Sequence, residues 1–137
     1  MKVLVDTTAW SLVLRHKDRP ENAATAVELA SLIQDGRIAI IGPIRQEVLS
    51  GMKESAEFER LRDYLRGFAD TELTSTDYEE AASLYNRCRQ RGIQGSGTDF
   101  LICAAAMKND YSIFTTDADF THFAKVLPIV LHRPDSG

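Results

Sequence analysis

The chain has 137 residues, 44% of them hydrophobic and 26% charged, which is the size and make-up of one compact domain with its own core, and a single domain over residues 1–137 is expected. No apolar run approaches the roughly 18–20 residues that span a bilayer, and an acid at Asp6 with charges at Arg15, Lys17 and Asp18 breaks any signal-peptide pattern, so a cytoplasmic protein with no membrane partner is expected. A net charge of -4 excludes binding to nucleic acid by sheer positive excess, yet it is compatible with a carboxylate-rich metal site, which itself lowers the count.

Lys2 to Val5 reads as a strand through its β-branched Val3 and Val5, ending at Asp6. Thr7 and Thr8 can cap a helix that carries Ala9, Trp10, Val13 and Leu14 at helical spacing to about Arg15. After the break at Asp18 to Pro20, a second helix is predicted from about Glu21 to Gln34 on Ala24, Val27, Ala30, Leu32 and Ile33, stopped by Asp35 and Gly36. Ile38 to Ile41 reads as a buried strand. Pro43 suits the first position of a helix to Ser50, with Ile44 and Val48 on one face and Glu47 one step round. A further helix is predicted from about Ser55 to Gly67, then a weaker strand at Thr71 to Ser75. Asp77 with Glu80 reads as a capping box for a long helix to about Arg91.

The segment Gly92 to Gly97 is a loop, and Thr98 can cap a helix whose Phe100 to Met107 stretch is almost wholly apolar and so buried on several sides. Ser112 to Thr115 is a strand, Thr116 to Lys125 holds a short helix, and Val126 to Leu131 is a last strand that Pro128 places at an edge. Cys88 and Cys103 are too few and too far apart for a disulfide framework or a zinc site, and read as buried thiols. Short apolar strands alternating with helices predict a parallel sheet covered on both faces.

Ligands of such sheets bind beyond the carboxyl ends of the strands. Asp6 follows the first strand, Asp117 and Asp119 follow the strand at Ile113, Asp99 opens the buried helix, and Glu47 lies on the helix leaving the second strand. Taken singly, Asp99 or Asp119 is a helix cap and Glu47 a solvated acid. Taken together they are harder to dismiss, because two carboxylates about 4 Å apart repel by roughly 4 kcal/mol near a protein surface. A divalent cation reverses that sign, and oxygen ligands without His or Cys suit Mg²⁺ or Mn²⁺ rather than zinc. His16, His122 and His132 stand outside the acid positions with no ligand spacing.

Four segments in order, Val5-Asp6-Thr7-Thr8-Ala9-Trp10, Ile44-Arg45-Gln46-Glu47-Val48, Gly97-Thr98-Asp99-Phe100-Leu101-Ile102 with Ala104, and Thr115-Thr116-Asp117-Ala118-Asp119-Phe120, together make the chain resemble PIN-domain ribonucleases, and its short length resembles the VapC-type toxins among them. The resemblance implies a PIN-like three-layer α/β/α sandwich with a central parallel sheet of about five strands. It implies that Asp6, Glu47, Asp99 and Asp117 form a catalytic and metal-binding quartet for Mg²⁺ or Mn²⁺. Asp119 matches a weaker acid, and Thr8 and Thr115 match small polar supports, with Thr at position 8 where Ser or Asn is common. The activity implied is endoribonucleolytic hydrolysis of tRNA or mRNA. The partners implied are a VapB-type antitoxin, a second copy in a homodimer, and a toxin–antitoxin hetero-oligomer, for which the helices around residues 22–34 and 55–67 offer amphipathic faces.

Basic residues near the expected rim, Arg45, Lys53, Arg87, Arg89 and Arg91, are weaker candidates for holding the RNA backbone, the last three spreading around a helix rather than forming one stripe. Trp10 can stack a base, although core packing suits it better. Two other readings remain open at this point. One is a catalytically inert PIN-like binding module, which the presence of all four acids opposes. The other is an aspartyl phosphotransfer domain, which needs a Lys beside the acids, a role for which Lys108 and Lys125 are poorly placed.

Overall fold

A computed structural model describes residues 1–16 and 18–134; Lys17 and residues 135–137, which the single-domain expectation includes, lie outside the described residues. The chain runs β1 (Val3–Val5), α1 (Thr7–His16), a 3₁₀ turn (Pro20–Asn22), α2 (Ala23–Gln34), β2 (Ile38–Ala39), α3 (Gly42–Leu49), α4 (Ser55–Leu65), α5 (Ser75–Gln90), α6 (Gly97–Asn109), β3 (Ser112–Phe114) and α7 (Asp119–Phe123). The strands pair in parallel in the order β2-β1-β3, with Leu4 opposite Ala39 on one side and Ile113 on the other.

The expected outer strands are reduced to single parallel bridges, Ile40 with Asp70 and Ile113 with Leu131. Thr71 N–H still donates to the Ile40 carbonyl at 2.8 Å and Ile113 N–H to Val130 at 2.8 Å. Five chain segments therefore cross the sheet, but only three are strands. Pro128 precedes the second bridge, and proline has no N–H to extend a ladder on that side.

β1 is central, and all three of its side chains are fully buried, as a strand covered on both faces must be. On the helical layers, α1 packs against α2 and α3, and α3 against α4, while α5 packs against α6, which rests on β3. The result is the expected three-layer α/β/α sandwich. α6 buries Phe100 and the whole run Ile102 to Ala106, the all-round burial that its unbroken apolar stretch predicts. Trp10 is 1% exposed and meets Phe68 edge-on at 5.8 Å, so it belongs to the core and not to a base-stacking surface.

Three local expectations are corrected. In α2 the buried face is Leu29 and Leu32, with Val27 70% exposed, because the 3.6-residue period that touches the core passes through Asn22, Leu29 and Leu32 rather than Ala24 and Val27. The cap of α5 is Thr74, whose N–H donates to Asp77 Oδ2 at 2.8 Å, so Asp77 closes the box instead of opening it. The cap of α6 is Ser96, two residues before the expected Thr98. Among the described residues no helix is long and apolar enough to cross a membrane.

Candidate active site at the carboxyl edge of the sheet

Parallel pairing of β1 and β3 in register brings Asp6, Thr115 and the residues after them to the same edge. Asp6 N–H continues the ladder by donating to the Phe114 carbonyl at 2.9 Å, and its own carbonyl accepts from Trp10 N–H to begin α1. Asp6, rather than Thr7 or Thr8, therefore stands at the helix cap, where the free N–H groups and the dipole of α1 favour its carboxylate.

The Asp6 carboxylate is 4% exposed and hydrogen-bonded at both oxygens. Oδ1 accepts from Thr7 N–H at 2.7 Å, and Oδ2 accepts from the hydroxyls of Thr115 at 2.8 Å and Thr8 at 3.0 Å. Those hydroxyls accept in turn, Thr8 Oγ1 from Thr116 N–H at 3.2 Å and Thr115 Oγ1 from Asp117 N–H at 3.0 Å. Asp117 Oδ1 then accepts from Asp119 N–H at 2.9 Å. One connected network thus joins Asp6, Thr8, Thr115, Asp117 and the start of α7.

Glu47 arrives from α3. Its Oε1 accepts the hydroxyl of Thr7 at 2.7 Å, so one residue, Thr7, touches two acids, Asp6 with its backbone and Glu47 with its side chain. Nothing in residue spacing singles out Thr7 for this contact; its sequence position marks only a possible cap. Asp99 arrives from α6, where its Oδ2 accepts Ser96 N–H at 3.0 Å and Ser96 Oγ accepts Asp99 N–H at 3.1 Å. The spacing Ser96-x-x-Asp99 is the signal for this reciprocal cap. Asp99 is consequently both a cap and a member of the acid group.

Electrostatics tie three of the acids together. The Asp6 carboxyl is pushed above its ordinary range chiefly by burial, against the pull of its hydroxyl and amide donors, and the charge of Asp117 raises it further. Asp99 is pushed up by burial first, and the charges of Asp6 and Asp117 add to that. Beneath them Cys103, one turn along α6 from Asp99, is fully buried, its thiol pushed up by burial and by the charge of Asp99. Cys88 is buried as well. Among the described residues no three His, Cys, Asp or Glu side chains are arranged to hold a metal ion as they stand.

Asp119 is exposed and touches the network through its backbone N–H alone. Of the basic candidates, Arg45 is corrected to a different task. Its Nε and Nη2 reach Asp70 Oδ1 at 3.0 and 2.9 Å, Nη1 donates to the Leu65 carbonyl at 2.9 Å, and Nη2 donates to the Phe68 carbonyl. A guanidinium so engaged closes the end of α4 and has little left to offer a phosphate. Lys53, Arg87, Arg89 and Arg91 are all exposed. Arg89 lines a hollow with Gly95, beside the loop that leads to Ser96. Lys108 pairs with Asp77 at 3.2 Å, so one of the two lysines weighed for a phosphotransfer site is committed elsewhere.

A buried carboxylate at the end of the central strand, flanked by acids from three other elements, defines an acid-rimmed member of the three-layer α/β/α proteins. The PIN domain family profile matches residues 3–126, and the chain belongs to that family. No curated protein matched the chain. Among solved structures, it is similar to FitAcB from Neisseria gonorrhoeae, with a TM-score of 0.74 and 19% identity over 96% of this chain and 97% of that one. It is also similar to VapBC2 from Rickettsia felis bound to a DNA fragment from their promoter, with a TM-score of 0.72 and 16% identity over 98% and 100% of the two chains. FitAB bound to the IR36 DNA fragment matches with a TM-score of 0.72 and 15% identity over 98% and 99%. At these identities the likeness is one of fold.

Proposed function

We propose that the chain is a divalent-metal-dependent endoribonuclease and the toxin of a VapBC-type toxin–antitoxin pair. The observation that carries the reading is the convergence of Asp6, Asp99 and Asp117 from separate parts of the chain, close enough that the charge of Asp117 reaches Asp6 and the charges of both reach Asp99, with Glu47 joined to Asp6 through Thr7. A fold that only needed capped helices gains nothing from bringing these charges together.

The donor set fits a hard cation. Every candidate ligand atom is a carboxylate or hydroxyl oxygen, and no imidazole or thiolate stands among them, which suits Mg²⁺ or Mn²⁺. Asp6, Asp99 and Asp117 with Glu47 would hold the ion, and Asp119 stands as a weaker addition. When bound, such an ion supplies a hydroxide near neutral pH and positive charge for the phosphate under attack. Thr8 and Thr115 hold the Asp6 carboxylate in place by donating to Oδ2 and favour its charged form against burial. Thr7 holds Glu47 against the same edge. With a hydroxide supplied in this way no Ser, Cys or His nucleophile is required, and both cysteines are buried. Single-stranded or looped RNA is the substrate class, because its backbone bends into a rim more readily than a duplex does.

The toxin reading and its partners, an antitoxin and a second copy of the chain, draw support from the FitAcB, FitAB and VapBC2 complexes that share the fold. The exposed Leu14 and Tyr64 and the half-buried Met52 line a groove that suits a partner's apolar helix.

The decisive experiment incubates purified protein with a structured RNA and Mg²⁺ or Mn²⁺, with EDTA and Asp6→Asn as controls. Cleavage that needs the metal and Asp6 is expected. Mn²⁺ should also raise the melting temperature of the wild type but not of Asp6→Asn, since a ligand of the native state alone adds stability. RNA binding without cleavage in any metal defeats the nuclease reading in favour of an inert binding module.

A further inference from the structure

An acid rim repels the polyanion it is meant to cut, so a nuclease of net charge -4 needs a cation fixed beside the reacting phosphate. Arg45 is spent on α4. The segment after α7, an edge strand by its sequence, supplies another. Leu131 pairs in parallel with Ile113, and His132 N–H donates to the Ile113 carbonyl at 2.7 Å. Counting two residues on from each partner sets Arg133 level with Thr115, at the carboxyl edge where the acids lie.

That end of the chain is held firmly. His132 Nε2 lies 2.8 Å from Glu28 Oε1 of α2, and its ring stands edge-on to Phe114 at 5.5 Å. Arg133 itself is exposed and pairs with no acid among the described residues. Between this tail and the loop after β3 lies a cavity of about 210 Å³. Thr116, Ala118 and Thr121 form one wall, Leu131, His132 and Arg133 the other, and Asp117 and Thr115 open onto it. The volume falls below the roughly 300–1,000 Å³ of sites that enclose a whole small molecule. It suits one base, with apolar surface for the ring and hydroxyls for its edge.

We propose that Arg133 grips a backbone phosphate next to the one being cut, while the cavity beside it receives the flanking nucleotide of a single-stranded RNA. The assignment rests on the ribonuclease reading for its substrate class. It makes Arg133 a substrate-binding residue and the cavity a source of base preference. Arg suits both halves of the task, since its planar fork binds phosphate bidentately and its face stacks on a base.

The test measures binding of a fluorescently labelled single-stranded RNA oligonucleotide to the full-length Asp6→Asn protein across a salt series, alone and with Arg133→Ala, Arg133→Lys or Ala118→Leu added. Arg133→Ala is expected to weaken binding about tenfold and to lower the slope of log affinity against log salt by about 0.7, one phosphate contact's share on a single strand. Arg133→Lys restores the slope but only part of the affinity, and Ala118→Leu, which fills the cavity, weakens binding with the slope intact. In the cleaving protein Arg133→Ala raises KM and leaves kcat within about twofold. Wild-type cleavage with KM and salt slope unchanged in Arg133→Ala overturns the assignment and leaves the nuclease reading standing. Arg133-dependent RNA binding by a wild-type protein that cleaves nothing in Mg²⁺ or Mn²⁺ keeps the phosphate contact but overturns both the nuclease reading and the placement of that contact beside a scissile bond.

Discussion

Replacing Arg45 by Met keeps the aliphatic stem and removes the guanidinium, which separates the two tasks the residue was given. If it served RNA, the change costs affinity; if it closes α4, the change costs stability. The geometry gives the second answer. Two backbone carbonyls, of Leu65 and Phe68, lose a charged donor, at about 1.5 kcal/mol each for hydrogen bonds to a charged group. The ion pair with Asp70, whose side chain is 45% exposed, contributes only about 0.5 kcal/mol after solvent screening. A total of about 3.5 kcal/mol lowers the melting temperature of a domain this size by roughly 12 °C. Thermal unfolding followed by circular dichroism reads the loss, and the RNA binding assay on the same variant should stay within about twofold of wild type. A melting temperature within about 2 °C of wild type refutes the clamp, and a fall in RNA affinity at unchanged stability returns Arg45 to the substrate.

Three further outcomes follow from the site. Asp6→Asn is expected to abolish cleavage while raising the melting temperature at neutral pH. Its folded carboxyl takes up protons more readily than the unfolded value of 3.8, so the ionised form costs stability once pH rises through that window. The stability gain should vanish as pH falls below about 4, and a melting temperature below wild type at neutral pH contradicts the sign. Thr7→Val deletes the hydroxyl that holds Glu47 at a stability cost of about 1 kcal/mol. A fall in kcat of about tenfold with rescue by Thr7→Ser is expected, and unchanged kcat removes Thr7 from the site. Gly95→Ala places a Cβ 2.5 Å from Phe123 Cζ and 2.9 Å from Phe100 Cε2, an overpacking worth about 1–3 kcal/mol. Adding Phe123→Leu should recover part of that loss, and strict additivity of the two changes in a thermal-melting cycle dismisses the clash.

The sequence revealed what local chemistry writes into it. An acid directly after a β-branched run marks a strand end, and this located Asp6. An apolar stretch opened by an acid marks a buried helix, and this located Asp99 with α6. What stayed hidden depended on partners distant in the chain. Whether Asp70 and Leu131 sit in full strands or single bridges is decided by the edge they meet, and the buried face of α2 by the side of the helix that α1 touches. Arg45 lay beside Glu47 in a segment that reads as site, yet its side chain turns toward Leu65 and Phe68, twenty and more residues ahead. Arg133 was invisible for the same reason, since only the bridge at Leu131 shows which edge it reaches.

This split has a physical origin in how the site is made. Asp6, Glu47, Asp99 and Asp117 stand on four different elements, so in the unfolded chain they are far apart and repel little; the repulsion arises only as β3 docks on β1 and α6 covers it. The price is carried where it arises, by the hydroxyls of Thr8 and Thr115 and the N–H of Thr7 on Asp6. Those donors offset part of the burial penalty without removing it, since the Asp6 carboxyl stays above its ordinary range. A strand end built only for stability has no use for three donors on one buried carboxylate. A cation held at the proposed metal site would offset the part of that penalty the donors leave.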